Sequence, residues 1–220
     1  MDLMRLLRSL EEFLYELVGW LVFYPRTFWR ILWHPGAIAR YTRLELEQPQ
    51  ERQFTETISP VLMLVLSVVI AHGLEMALKL PLPAIDSPIG KLLFGSEQGL
   101  LLTRSAVFSI FALGAALGTL SQQRQPITRD TLREPFSIQS FLVCPFVVLF
   151  AAGEQLTRIA ETRTAGVVVI VVAMVWYVLA RAIAYRTLNH AGWLKSVALV
   201  LRSFLLTQLV LLVVFALVLM

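Results

Sequence analysis

Cysteine and charged residues are both scarce in this chain. One cysteine, Cys144, stands among 220 residues, so no intrachain disulfide can form. With only three histidines as well, the sequence has no Cys/His cluster of the kind that binds zinc or an iron–sulfur centre. Charged residues make up 15% of the chain, whereas soluble domains have about a quarter. We therefore expect no metal or other cofactor, and a chain that is not an ordinary soluble domain.

Local catalytic motifs are missing too. The sequence has no Ser/His/Asp order, no paired-carboxylate signature and no glycine-rich phosphate loop. The absence of these motifs argues against enzyme families that have them and favours a protein that is not an enzyme. The net charge of +4 does not indicate nucleic-acid binding, because Lys and Arg in a membrane protein mostly record its orientation.

What the chain does contain is apolar sequence in long runs. It is 57% hydrophobic, with a mean hydropathy of +0.72. A helix of about 20 apolar residues crosses a hydrocarbon layer of about 30 Å, and five runs approach or reach that length. The pattern predicts an all-α fold in which residues 57–220 form a polytopic transmembrane bundle. Its spans are 58–78, 103–120, 136–153, 165–185 and 197–219.

The basic residues divide unevenly between the two sides of these spans. Of the 19 Lys and Arg residues, fourteen fall on the side that holds the N-terminus. By the positive-inside rule, we expect a multi-pass protein of the cell inner membrane with its N-terminus in the cytoplasm and its C-terminus outside. The five basic residues on the other side are Lys79, Lys91, Arg104, Arg158 and Arg163.

Residues 1–56 are predicted to form cytoplasmic amphipathic and interfacial helices. Residues 2–23 place apolar side chains on one helical stripe, which favours a helix lying in the membrane interface. Pro25 is expected to interrupt this helix and to begin a short second one that ends at Pro35 and Gly36. Residues 37–56 are polar and predicted to be solvated, helical as far as Gln48. The stripe consists of Leu3, Leu6, Leu7, Leu10, Phe13, Leu14, Leu17 and Val18.

The short second helix mixes aromatic and basic residues. Trp favours the headgroup level of a bilayer, and Arg can reach lipid phosphates. This helix is therefore a candidate interface for anionic lipid or for a partner protein. Its candidate residues are Arg26, Trp29, Arg30 and Trp33.

A few ionisable residues fall near the outer ends of the spans. His72, Glu75 and Lys79 share one helix face near the end of the first span. Glu154 ends the third span, which runs in the same direction, so both carboxylates could meet at one outer site. Ionisable groups at membrane depth are often functional. The alternative is that these side chains simply lie in water at the helix ends.

Two further sets of residues suggest helix packing and lipid contact. Gly114 and Gly118, four residues apart in the second span, mark a face for close packing within the monomer or between subunits. Arg181 and Arg202 each lie one turn inside a span, on either side of the last connector. They could reach toward headgroups separately, or hold one anionic headgroup or partner carboxylate between them.

The run YPRTFWRILWHP at 24–35, followed by a polar linker and five closely spaced spans, resembles bacterial members of the Yip family of small membrane proteins. The resemblance implies that this helix, which begins Pro-Arg-x-x-Phe in the family and Pro25-Arg26-Thr27-Phe28 here, lies on the cytoplasmic side, and that the exterior tail is short. It also implies a non-enzymatic role in membrane organisation, lipid handling or partner binding, with no catalytic residues. The helix at 2–23 is not part of the family pattern.

These observations favour a non-enzymatic adaptor or accessory subunit of the inner membrane. Its partners would be the lipid bilayer and another membrane protein or further copies of itself. A small transporter, channel or lipid-translocating protein is the alternative, because polar residues occur at plausible membrane depth. A lipid-modifying enzyme is less favoured, since its polar residues would have to cluster at one interface.

Overall fold

The chain folds into helices joined by short connections. The computed structural model describes residues 3–78 and 87–219. It is 89% helical, and the described residues include no strand, so the predicted all-α class is confirmed. Two 3₁₀ helices, Gln50–Arg52 and Ala160–Thr162, lie between α-helices. The α-helices are α1 Leu3–Trp33, α2 Pro35–Glu47, α3 Pro60–Leu78, α4 Pro88–Phe94, α5 Glu97–Gln123, α6 Arg129–Arg158, α7 Arg163–Asn189 and α8 Trp193–Leu219.

Five of these helices, α3 and α5 to α8, are long and apolar enough to cross a membrane. They match the five predicted spans and are compatible with an integral, multi-pass membrane protein. Most extend beyond the predicted limits, and at the starts of α5 and α6 capping side chains fix helix ends that hydropathy does not detect. Ser96 accepts a hydrogen bond from the amide of Gly99 at the start of α5, and Thr128 forms a capping box with Thr131 at the start of α6.

Helix α6 is the centre of the bundle. In its most apolar window 72% of the residues are buried, compared with 28% to 39% in the other four long helices. Phe141, Leu142, Val143 and Cys144 are completely buried on consecutive positions, which requires neighbours on every side. Pro145 lies inside α6, which continues through it as one helix.

Helices α6 and α7 approach closely at a pair of glycines. A methyl group at Gly153 would lie 2.7 Å from a side-chain carbon of Ile170, and one at Gly166 would lie 2.6 Å from the backbone nitrogen of Thr157. Only a missing Cβ allows this backbone separation, and it lets long stretches of both helices pack together.

The predicted interruption of the first helix is wrong. Helix α1 continues from Leu3 to Trp33 with Pro25 inside it. Proline removes one backbone donor, and the carbonyl that loses it belongs to Leu21, which is exposed and can be solvated. The chain breaks instead at His34, whose φ of −131° and ψ of 58° are not helical. Pro35 disfavours the helical conformation of the residue before it and then begins α2.

The second half of α1 packs across the bundle. The hydroxyl groups of Tyr24 and Ser67 in α3 are hydrogen-bonded at 3.0 Å. Further along α1, the carbonyl of Leu32 accepts a hydrogen bond from the indole of Trp176 in α7. Burial raises the pKa of Tyr24 to about 12. Because its contacts move from α3 to α7, this half of α1 crosses the bundle instead of running along one helix.

Helix α2 is not solvated as the sequence predicted. It buries Gly36, Ile38 and Ala39 against α6 and α7. Arg43 anchors it, because its Nε donates to Glu134 of α6 at 2.7 Å. The polar composition is misleading here, since small and apolar residues form one packed face between the charges. We call this end of the bundle the α2 end, and the opposite end, where α3 and α6 finish, the Glu75 end.

Candidate functional site

A buried carboxylate links three helices at the Glu75 end. Glu75 of α3 is only 4% exposed. One of its oxygens accepts a hydrogen bond from Arg104 of α5, and the other accepts from Nη1 of Arg158 in α6 at 2.8 Å. A carboxylate removed from water needs such partners, because an unpaired buried charge is strongly unfavourable.

Glu154 closes the arrangement from the same helix as Arg158. Its Oε1 accepts from Nη2 of Arg158 at 2.7 Å, the geometry expected for residues four apart on one helix. Its Oε2 lies 3.5 Å from Nη2 of Arg104. We call these four residues, Glu75, Arg104, Glu154 and Arg158, the charge network. It brings together the two carboxylates that the sequence suggested could share one site.

The charge network is neutral as a whole, with two guanidinium groups and two carboxylates. Its members differ in depth: the side chain of Glu75 is 4% exposed, Arg104 11%, Arg158 24% and Glu154 34%. The network therefore runs from a buried carboxylate toward a partly accessible one. It can hold three helices together and can offer polar groups to a bound molecule at its accessible side.

The sequence did not identify Arg104 and Arg158 as partners of the carboxylates. In the sequence they are distinguished only as basic residues on the sparsely charged side. Two signals were present. Arg104 lies within the second predicted span, where a charge needs a counterion, and Glu154 and Arg158 have the acid-before-base spacing of a helical ion pair.

His72 lies beside the charge network but does not belong to it. It is buried, and its Nε2 is 3.4 Å from a carboxylate oxygen of Glu97 in α5. Its Nδ1 has no hydrogen-bond partner among the described residues. The predicted face shared by His72, Glu75 and Lys79 is only partly visible, because Lys79 lies outside the described residues.

A cavity of about 400 Å³ adjoins the charge network. Its polar end is formed by Arg104, Glu154 and Arg158, and its remaining wall is mostly apolar. Ligand pockets commonly measure about 300 to 1,000 Å³, with apolar walls and a few polar groups. The cavity lies between α5, α6 and α8, with α4 at its edge. Six phenylalanines line it: Phe94, Phe108, Phe111, Phe146, Phe150 and Phe215.

The two arginines near the last connector occupy different environments. Arg202 is exposed, whereas Arg181 is buried inside the bundle at 3% exposure. Nη2 of Arg181 donates to the hydroxyl of Ser203 at 2.6 Å, and its guanidinium carbon lies 5.3 Å from the ring centre of Tyr177. Arg181 therefore does not extend toward headgroups as expected, because partners in α7 and α8 hold it inside.

The aromatic and basic residues of α1 also occupy two different environments. Trp29 and Trp33 are 56% and 69% exposed, and Arg26 is exposed beside them. The guanidinium of Arg30 lies 4.5 Å from the ring centre of Tyr41, so it packs onto α2. Arg26, Trp29 and Trp33 thus remain as an outward-facing group next to the bundle.

Gly114 and Gly118 face α8 within the same chain. A methyl group at Gly114 would lie 2.3 Å from Oγ1 of Thr207, and one at Gly118 would lie 2.7 Å from Cβ of Ser203. These two positions therefore set the distance between α5 and α8.

Among the described residues, no group of three or more His, Cys, Asp or Glu side chains could hold a metal ion. Searches of protein families, of curated proteins and of solved structures found no match to the chain.

Proposed function

We propose that the protein is a non-enzymatic adaptor of the inner membrane. Its five-helix bundle anchors α1, and the first half of α1 presents an amphipathic surface to anionic lipid and to partner proteins at the cytoplasmic face. The observation that carries this proposal is the different environment of the two halves of α1. Thr27 and Ile31 are buried in the bundle, whereas every residue from Leu7 to Val18 is exposed.

The exposed half of α1 keeps its apolar residues on one side. Leu7, Leu10, Leu14 and Val18 follow the spacing of one helix face and are all exposed. A stripe of this kind is unfavourable in water and suits the boundary between headgroups and acyl chains. The side of the spans that holds α1 has more Lys and Arg, so the positive-inside rule favours a position of α1 at the cytoplasmic face.

The residues next to the bundle support the same placement. Trp29 and Trp33 are exposed and suited to the headgroup level, and Arg26 adds a positive charge that attracts anionic lipid. The second half of α1 is hydrogen-bonded to α3 and α7, so the first half extends from a fixed position on the bundle.

Spin labels on opposite sides of α1 test the contact with lipid. In a Cys144→Ala background, one nitroxide is placed at Leu14 in the stripe and another at Glu12 on the other side. In anionic nanodiscs, the Leu14 label should be relaxed mainly by oxygen, which concentrates in the bilayer, and the Glu12 label by a water-soluble nickel complex. Equal relaxation of both labels by the nickel complex would show that α1 is in water.

A pair of double variants tests the partner role. L10Q/L14Q makes the stripe polar, whereas E12Q/E16Q changes the opposite side by the same number of residues. After mild-detergent extraction, we expect only L10Q/L14Q to lose any larger complex that the wild type forms. If both variants keep that complex, the stripe is not the partner surface.

A lipid-translocating or transport role is the second candidate, and the cavity beside the charge network favours it. Its phenylalanine wall and polar end would suit an amphiphile entering from the bilayer. Flux and lipid-scrambling assays in proteoliposomes separate the two candidates. Absence of both activities in a folded preparation would leave the adaptor role.

A further inference from the structure

We propose that the cavity beside the charge network binds a phospholipid with a zwitterionic amine headgroup. One acyl chain would lie along the phenylalanine wall, and the headgroup would lie against Arg104, Arg158 and Glu154. This site is independent of the adaptor role, because it lies at the Glu75 end and does not include α1.

The apolar part of the cavity fits a flexible hydrocarbon chain. Phe108, Phe146 and Phe150 lie within 5.5 to 6.4 Å of one another, measured between ring centres, and form a continuous aromatic wall. Phe94 of α4 and Phe215 of α8 lie 5.9 Å apart at the edge of the cavity. Leu212 also lines the cavity and is 64% exposed, so the cavity borders the surface of α8 that would face lipid.

The polar end of the cavity has hydrogen-bond donors and an acceptor that the described residues do not fully use. A guanidinium has five N–H donors, and the described hydrogen bonds of Arg104 use one of them, toward Glu75. Among the described residues, Oε2 of Glu154 is approached only by Nη2 of Arg104, at 3.5 Å, and this carboxylate is the most exposed member of the network. A headgroup could therefore find donors for a phosphate and an acceptor for an ammonium within one site.

The net charge of the site favours a zwitterionic headgroup over an anionic one. The charge network sums to zero, so a headgroup with one net negative charge would leave a charge uncompensated in a poorly hydrated place. A phosphate near Arg104 and Arg158 together with an ammonium near Glu154 keeps the sum at zero. A phosphoethanolamine headgroup has this pattern, whereas a phosphoglycerol headgroup has the phosphate alone.

Native mass spectrometry of the full chain tests this proposal. The detergent-purified protein is titrated with equal amounts of phosphatidylethanolamine and phosphatidylglycerol carrying the same acyl chains. We expect the first adduct to favour ethanolamine by at least about tenfold, a ratio that corresponds to about 1.4 kcal/mol. Equal binding of the two lipids, preference for the glycerol lipid, or absence of any adduct on folded protein would overturn the proposal.

Two pairs of variants locate the lipid. E154Q removes the carboxylate proposed to hold the ammonium, and E161Q makes the same change at an exposed residue of the same end. Only E154Q should shift the preference toward the glycerol lipid, because the network would then carry one net positive charge that the anionic headgroup compensates. V107W fills the cavity and should abolish the adducts, whereas V107A should keep them, with far-UV circular dichroism checking the fold of each. Unchanged preference in E154Q, or unchanged binding in folded V107W, would place the lipid elsewhere.

Added free phosphoethanolamine separates a lipid from a small soluble zwitterion. If the site recognises a lipid, an excess of the free headgroup should leave the adducts in place, because the acyl chain supplies much of the binding. Displacement of the lipid by the free headgroup at similar concentration would show that the acyl chain does not contribute, and would overturn the assignment of a lipid.

Discussion

Replacing Glu75 by glutamine should destabilise the bundle more than any other single loss of a carboxylate from the charge network. The change keeps the shape of the side chain and removes its charge. Arg104 and Arg158, whose side chains are 11% and 24% exposed, would then share Glu154 as their only counterion in the network. Removing one partner of a buried ion pair costs about 3 to 5 kcal/mol, so we expect a loss of about 3 kcal/mol in the free energy of unfolding.

The same substitution at the accessible carboxylate gives the comparison. Glu154 is 34% exposed, and an exposed pair contributes about 1 kcal/mol or less. E154Q should therefore cost about 1 kcal/mol, and E161Q, at an exposed residue outside the network, should have almost no effect. The measurement is the loss of far-UV circular dichroism as the detergent-solubilised protein is titrated with a denaturing detergent.

A double-mutant cycle shows whether the loss comes from the proposed contact. E75Q combined with R158Q should destabilise by less than the sum of the single changes, with a coupling of about 0.5 to 3 kcal/mol. If E75Q unfolds at the same detergent fraction as E161Q, then Glu75 is hydrated and the buried network does not exist as described. Additive effects of E75Q and R158Q would reject the contact between them.

Three further predictions concern other parts of the bundle. G114A should destabilise by about 1 to 3 kcal/mol, because its methyl group would meet Thr207. G73A, with no atom of the described residues within 4 Å of a new Cβ, should be neutral or stabilise by up to about 1 kcal/mol in the same titration. Equal effects of G114A and G73A would contradict this packing. The pKa of Tyr24 is raised from 10.0 to about 12 by burial, so stability from its neutral phenol is present below pH 10 and is lost as the pH rises through about 12. A tyrosinate absorbance titration should accordingly lose a step near pH 12 in Y24F, and a step that persists would assign it to another residue. Cys144 is completely buried, so a water-soluble maleimide should label it only after unfolding, and rapid labelling of the native protein would contradict the central position of α6.

The five apolar helices could be predicted because each run is long enough to cross a bilayer. Hydropathy does not distinguish a lipid-facing span from a central one, so the buried position of α6 could not be predicted. Its consecutive buried residues, Phe141 to Cys144, look like any other apolar run. Their burial depends on which helices surround α6, and that follows from tertiary packing.

The N-terminal region was harder to predict for a different reason. A proline is a strong local signal for a helix boundary, and Pro25 would ordinarily end or kink a helix. Here the tertiary contacts of Tyr24 and Leu32 support α1 through it. In the same way, the charges of α2 concealed a packed face, because a few small residues at helical spacing are sufficient to bury it against α7.

The two carboxylates of the site could be predicted, and the helical spacing of Glu154 and Arg158 indicates one of the ion pairs, but the pairing of Glu75 with Arg104 and Arg158 could not be predicted. Glu75 and Glu154 stood out as acids near the ends of spans that run in the same direction. Arg104 lies near the N-terminal end of α5, whereas Glu75 lies near the C-terminal end of α3. Their separation in the sequence does not indicate a contact. Only the packing of α5 against α3 and α6 brings its guanidinium to both carboxylates.

The pairing within the charge network also bears on how the chain enters the membrane during synthesis. The helical hairpin of α3 and α5 contains one acid and one base of the network, Glu75 and Arg104, and α6 contains its own pair, Glu154 and Arg158. The α3–α5 hairpin and α6 can therefore each enter the bilayer with the network's acid paired to a base within the same unit. The cross-contact between Arg158 and Glu75 then forms only when α6 joins the hairpin, which makes it a marker for the last step of assembly among these three helices.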